Sequence, residues 1–182
     1  MTLRTIACSA ALALALGTPA LADGPTYDDP GMHFQAPDGW TKLDLPSPSA
    51  DADSDAPTPV AAFVFDQGRF EQRTITITVK EYSDTLDAFK GEQTSQLRSS
   101  SDSAFISQQD KTTLSNGMPA YFIDARLTSQ SGADTYRAEY LVIDTKRAID
   151  VAYTSQEDFS VKDAKAALAS LYVVVYPGRL PD

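Results

Sequence analysis

Cysteine occurs once in this chain, at Cys8, and histidine once, at His33. Cys8 lies in a segment expected to be removed, so the remaining chain offers no thiol nucleophile, no disulfide and no cysteine metal ligand. A single histidine without cysteine cannot assemble an ordinary zinc site. Any Ser-His-Asp triad would have to use His33, which sits at the edge of a short apolar piece and reads as a strand residue. Neither Gly-x-Ser-x-Gly nor Ser-x-x-Lys occurs, and neither glycine-rich phosphate-binding pattern is present. Basic residues are also scarce, 15 against 25 acidic ones. A nucleic-acid binder needs a concentrated basic surface to displace counterions, and attraction to anionic lipid needs the same; neither partner is expected.

Long apolar runs are lacking too. The longest, Ile6 to Leu16, is 11 residues, where a membrane span needs roughly 20. It follows Arg4 and precedes Gly17, Pro19 and Ala20-Leu21-Ala22. That order of basic, apolar and small residues is the order of a cleavable secretory signal, with cleavage expected before Asp23. No twin arginine is present, so the general secretion route is expected. Residues 23–182 then form the mature chain of 160 residues, with 25 acidic and 14 basic residues and a net charge of −11. This length suits one domain with its own core. An exported domain without disulfides fits a bacterial periplasm, with secretion as the alternative.

The mature chain begins with a polar, turn-rich stretch, 23–32, expected to be a flexible leader. A single domain, 33–182, follows. His33 to Ala36 and Trp40 to Leu43 flank Pro37-Asp38-Gly39, which predicts a small hairpin. Residues 45–59 hold Pro46, Pro48, Pro57 and Pro59 among Ser, Ala and Asp, the composition of a surface loop. Asp51, Asp53 and Asp55 mimic the opening of a calcium loop, but Ala56 stands where the sharp glycine turn is needed and Ala62 where a bidentate Glu is needed. A solvated acidic loop is the better reading.

Strands follow. Val60 to Asp66 is nearly continuous and apolar, and Thr74 to Glu81 alternates, with Ile75, Ile77 and Val79 on one side. Asp84 is expected to cap a helix whose apolar side is Leu86, Phe89 and Leu97. Then comes an antiparallel meander: 104–114, the Asn116-Gly117 turn, 118–128, a turn around Ser131-Gly132, 135–144 and 147–154. A last helix starts at Ser160 with Phe159 before it, burying Val161, Ala164, Leu168 and Leu171. A strand-like run, Leu171 to Tyr176, closes the chain. The fold class is α+β, a largely antiparallel sheet flanked by helices.

Tight turns in the meander would set Ile123 opposite Tyr140, Ala125 opposite Ala138, Val142 opposite Ile149 and Tyr140 opposite Val151. These residues share one apolar face. The other face would then gather Asp124, Arg126, Arg137, Glu139 and Asp150, mixed with Phe122, Leu141 and Ile143. Opposite charges at adjacent cross-strand positions pair. Solvated pairs of this kind are worth only about 0–1 kcal/mol; a partly covered face would instead form a polar cleft or partner-binding surface. No catalytic residue, cofactor or metal ligand is nominated.

Several of these features resemble PsbP-like domains, the superfamily that includes the bacterial DcrB-type exported proteins. The opening Phe34-x-x-Pro37-x-Gly39-Trp40 is similar, as are the strand Ile75–Val79 with its following helix, the Asn116-Gly117-Met118-Pro119-Ala120 hairpin, Glu139-Tyr140-Leu141-Val142, and the closing helix with Ser170-Leu171. The resemblance implies an α/β/α sandwich around an antiparallel sheet. It also implies a non-enzymatic accessory role, without a shared active-site motif. The long Pro/Ser/Asp loop and the scarcity of histidine depart from photosynthetic members, so no photosystem role is expected. The expected function is therefore an accessory or interaction protein of the bacterial cell envelope that docks on a protein partner. The alternative is a periplasmic binder of a small apolar or amphipathic ligand, suggested by Tyr121, Tyr136, Tyr140 and Tyr153.

Overall fold

The structure is a computed structural model, and it describes residues 24–45, 59–66 and 72–174. The segment expected to be a signal, most of the Pro/Ser/Asp loop with its three aspartates, and the chain beyond 174 lie outside the described residues. A seven-stranded antiparallel sheet dominates. Its strands are β3 (Thr41–Lys42), β4 (Pro59–Asp66), β5 (Gln72–Glu81), β6 (Ser103–Thr113), β7 (Pro119–Thr128), β8 (Asp134–Ile143) and β9 (Arg147–Ser155). They lie in the order β3-β4-β5-β9-β8-β7-β6. A smaller sheet is built from β1 (Thr26–Asp29), β2 (Met32–Gln35) and β10 (Tyr172–Val173), in the order β1-β2-β10. The described residues also form two helices: α1 (Leu86–Ser99) between β5 and β6, and α2 (Val161–Ala167) between β9 and β10.

One face of the large sheet is sealed by the small sheet and α2. Phe63, Ile75, Ile77, Phe122, Ile149 and Val151 of the large sheet are fully buried against Phe34, Ala164, Leu168 and Leu171. Burying side chains of this size contributes about 1.5–3 kcal/mol each. The opposite face carries α1, which buries Phe89 and Leu97 against Ile123, Ala125, Leu141 and Ala148. The architecture is thus the expected α+β fold, with one helix on one side and a helix plus a small sheet on the other.

Three expectations are corrected. The stretch expected as a flexible leader is ordered: Thr26–Asp29 pairs with Met32–Gln35 as β1. Composition concealed this, because the ties are made by backbone pairing and by Arg147, which bonds to Asp29 and donates to the Pro30 carbonyl at 2.9 Å. Pro37-Asp38-Gly39 does not close a hairpin. It carries the chain from one sheet to the other, since β2 pairs β1 and β10 while β3 pairs β4. Gly39 holds φ of 82° there, a left-handed conformation that disfavours any side chain, and an added Cβ would meet the Phe65 ring at 3.1 Å. Finally, α1 is capped by Thr85 rather than Asp84: the Thr85 hydroxyl accepts from Ala88 N at 3.2 Å, and Asp84 instead accepts from Thr85 N. The second helix starts as expected, with the Ser160 hydroxyl accepting from Asp163 N at 3.1 Å.

Candidate functional site

The meander decides which charged residues meet. The β8–β9 register is the expected one, with Val142 opposite Ile149 and Tyr140 opposite Val151. It is pinned by a turn in which Asp144 Oδ1 accepts from Lys146 N at 3.1 Å and Arg147 N at 2.9 Å. The β7–β8 register is shifted by one residue. Ile123 lies opposite Glu139 and Ala125 opposite Arg137, instead of Tyr140 and Ala138. The reason is the turn. Five residues, 129–133, separate Thr128 from its partner Asp134, and Ser129 N donates to Ala133 O at 3.0 Å. Gly132 takes φ of 79° within it, a value open to glycine. A tight turn centred on Ser131-Gly132 would have given the other register.

A one-residue slip turns one strand over relative to the next. The five expected site residues therefore do not form one surface. Arg137, Glu139 and Asp150 lie on the α1 face, and Asp124 and Arg126 on the other. Phe122 leaves the charged group as well and packs on Tyr140, ring centroids 5.2 Å apart.

On the α1 face the two carboxyl groups are buried and Arg137 is partly so, its side chain 24% exposed. Glu139 is 0% exposed and Asp150 6%, so neither is presented to a partner. Arg137 Nε donates to Glu139 Oε2 at 2.5 Å and its terminal nitrogen donates to Asp150 Oδ2 at 2.8 Å. The second oxygens, Glu139 Oε1 and Asp150 Oδ1, have no hydrogen-bond partner among the described residues, and neither has Thr94 Oγ1 from α1. A buried polar atom left in this way costs about 1–3 kcal/mol. Burial pushes the Asp150 carboxyl well above the usual range; the Glu139 charge adds to this and Arg137 opposes it. Burial pulls Arg137 down, but the Asp150 and Glu139 carboxylates outweigh it, and the guanidinium is held more firmly charged than usual. One arginine thus faces two carboxyl groups. A partly enclosed cavity of about 260 Å³ adjoins Arg137 and Asp150, lined also by Thr76, Thr78, Gln93 and Gln96 among others.

On the opposite face, Asp124 and Arg126 line an open cleft of about 250 Å³ with Phe105, Ser107, Tyr136, Asp158 and Phe159. Phe105 lies opposite Arg126 on the end strand β6. It is 60% exposed, the largest value among the exposed large hydrophobic residues described. The pairing of β6 with β7 is irregular between Ile106 and Gln108, and there the Ser107 hydroxyl bonds to the Asp124 carboxylate. Phe159, placed just before the α2 cap, packs edge-on against Tyr153 at 4.8 Å and Tyr136 at 6.4 Å. The cleft therefore has aromatic walls, a charged floor and, alongside, a strand edge that no described residue pairs with.

Sequence reasoning missed Phe105 and Phe159 as cleft residues, named Tyr136 only for the ligand alternative, and missed Gln93 and Thr94 as buried polar residues of α1. Gln93 carried a signal: it occupies the buried stripe of α1, four residues from both Phe89 and Leu97. His33 lies in β2 as a half-exposed residue, its Nδ1 2.6 Å from Asp28 Oδ1. That hydrogen bond is the main reason the Asp28 carboxyl sits below its ordinary range. Among the described residues, no group of three or more His, Cys, Asp or Glu side chains is placed to hold a metal ion. No described helix is long and apolar enough to cross a membrane.

No model of a known protein family matches this chain, and no curated protein matches its sequence. Solved structures do match. The solution structure of cyanobacterial PsbP from Synechocystis sp. PCC 6803 superposes with a TM-score of 0.61 at 17% identity, covering 87% of this chain and 96% of that one. A protein of unknown function from Pseudomonas aeruginosa matches at 10% identity and a TM-score of 0.45, over 72% of this chain and 81% of that one. A Bacteroides thetaiotaomicron protein matches at 15% identity and a TM-score of 0.46, over 87% of this chain and 52% of that one. At these identities only the fold is compared, and only the first superposition is close enough to bear on it: the chain has the PsbP-like fold.

Proposed function

We propose that this protein is a non-enzymatic accessory protein, exported to the bacterial periplasm through its N-terminal signal. There it docks an extended segment of a protein partner along β6. The observation that carries this reading is the open end of the large sheet. Its two end strands are unlike: β3 has two residues, whereas β6 has eleven. A long end strand presents a row of unpaired N–H and C=O groups, to which another chain can add as a further strand. The irregularity after Ile106 and the charge of Lys111 guard its second half. The first half, Ser103 to Ile106, has neither device, and it borders the cleft. An added strand there would bring alternate side chains over Phe105, with Arg126 in reach of an acidic group and Asp124 or Asp158 in reach of a basic one.

The test is site-specific. A photo-crosslinking residue placed at 105 in the exported full-length protein should capture one partner in its native envelope, identified by mass spectrometry. Capture from a control position on the α1 face, such as 95, should not yield it, and Arg126→Ala should weaken association of the purified pair by about tenfold or more. Equal capture from both positions, or an unaffected Arg126→Ala complex, would overturn the reading. A wild-type protein that captures nothing would overturn it equally. A ligand-dependent thermal shift from amphiphiles, abolished by Phe105→Ser, would favour the small-ligand alternative.

A further inference from the structure

The cavity beneath α1 is built differently from the β6 cleft and is independent of the docking reading. Its polar side chains are Thr76 and Thr78 from β5, Asp150 from β9, Arg137 from β8, Gln93 and Gln96 from α1, and Ser100 at the C-terminal cap of α1. Gln96 and Ser100 are exposed and form its mouth, while Gln93 and Asp150 are buried and form its wall. Behind it stand two carboxyl groups that share one guanidinium. Arg137 satisfies only one oxygen of each, leaving Glu139 Oε1 and Asp150 Oδ1 unpartnered. Thr94 Oγ1, 8% exposed at residue level, is a third buried oxygen without a partner. All three can accept a hydrogen bond. Two ionised carboxyls would put the charge one negative in excess of Arg137; Asp150 takes up a proton to offset that excess, and a cation can take the proton's place.

We infer that this cavity binds a small organic cation bearing N–H donors, of the aliphatic amine class, whose head group donates to the Asp150 carboxylate, with the Glu139 charge behind it. An ammonium group supplies three donors and one positive charge, which suit the Asp150 carboxylate and the threonine and glutamine oxygens of the lining and offset the excess negative charge. The threonine methyl groups, Leu127 and Pro59 give its short stem an apolar lining. A carboxylate or phosphate ligand is disfavoured, since it would place a further negative charge against two carboxyl groups.

n-Butylamine is a suitable probe, with 1-butanol as its neutral counterpart and sodium chloride matched for ionic strength. The purified mature protein should show a saturable rise in Tm with butylamine, about 5–10 °C at a hundredfold excess over Kd. Neither control should reproduce it. Asp150→Asn keeps the shape of the side chain but removes the excess charge, and should weaken butylamine binding by tenfold or more in titration calorimetry. Gln96→Leu at the mouth guards against a folding defect: it leaves the buried charges intact and should weaken binding several-fold. Equal shifts from butylamine and butanol, unchanged affinity in folded Asp150→Asn, or a crystal grown in butylamine showing only water against Asp150 would each overturn the assignment.

Discussion

The two faces of the large sheet are built on opposite principles. The face under the small sheet and α2 is dry: Phe34, Phe63, Ile75, Ile77, Phe122 and Leu168 are all fully buried, and aromatic rings meet across it, Phe34 to Phe63 at 5.4 Å. The face under α1 is mixed. It buries Phe89 and Leu97 but also Glu139, Asp150, Gln93 and Thr94, with Arg137 half-buried among them and three polar atoms unpartnered among the described residues. Burial of apolar area is additive and tolerant of detail. Burial of charge depends on pairing each group, and a well-packed apolar replacement often does as well or better. The dry face therefore carries the stability of the fold, and the α1 face holds polar groups that stability alone does not require.

The largest effects should separate these faces. On the dry face, Phe122→Ala should cost about 3–5 kcal/mol in urea denaturation, with no rescue by a neighbouring charge change. On the α1 face, Arg137→Met should cost a similar amount, about 3–5 kcal/mol, because it strands two buried carboxyl groups. Here rescue is expected: adding Glu139→Leu and Asp150→Leu should return the protein to wild-type stability or exceed it by about 1–4 kcal/mol. A triple variant as unstable as Arg137→Met would refute the view that the charges are dispensable to the fold.

A smaller effect follows from pH. The Asp150 carboxyl is raised in the folded protein above its ordinary value of 3.8. The folded state thus keeps a proton that the unfolded chain releases, and stability falls as pH rises. The contribution is complete below the unfolded pKa and is lost as pH climbs through the folded one. The urea midpoint of the wild type should decline relative to that of Asp150→Asn as pH rises from acid toward neutrality; parallel curves would show that Asp150 titrates normally. Smaller again is the cap of α2, where Ser160→Ala should cost about 1 kcal/mol by calorimetry. Smallest is Phe105→Ser. It should move stability by less than about 0.5 kcal/mol, since an exposed side chain has little to lose.

The legibility of the fold varied with the kind of signal. Strands with clean alternation, such as Thr74 to Glu81, and caps with a serine before an apolar stripe, such as Ser160, were readable because the information is local. The β7–β8 pairing was not. Both faces of these strands carry apolar residues, with Phe122, Tyr140 and Val142 on one and Ile123, Leu141 and Ile143 on the other, so either register satisfies the hydrophobic pattern. Only the count of residues in the 129–133 turn separates the two, and a one-residue difference moved Asp124 and Arg126 away from Arg137, Glu139 and Asp150. The strand β1 was concealed for a related reason: polar composition does not reveal that a backbone ladder awaits in β2.

The amino-acid sequence by itself determined the class of this protein. Periodicity, caps and turn residues specify strands and helices over distances of a few residues, and composition sets the acidic charge and the poverty of cysteine and histidine. Tertiary structure alone decided which charges are buried and which line an open cleft. A side chain's face depends on register and on what covers the sheet, and both are fixed by contacts between residues far apart in the chain.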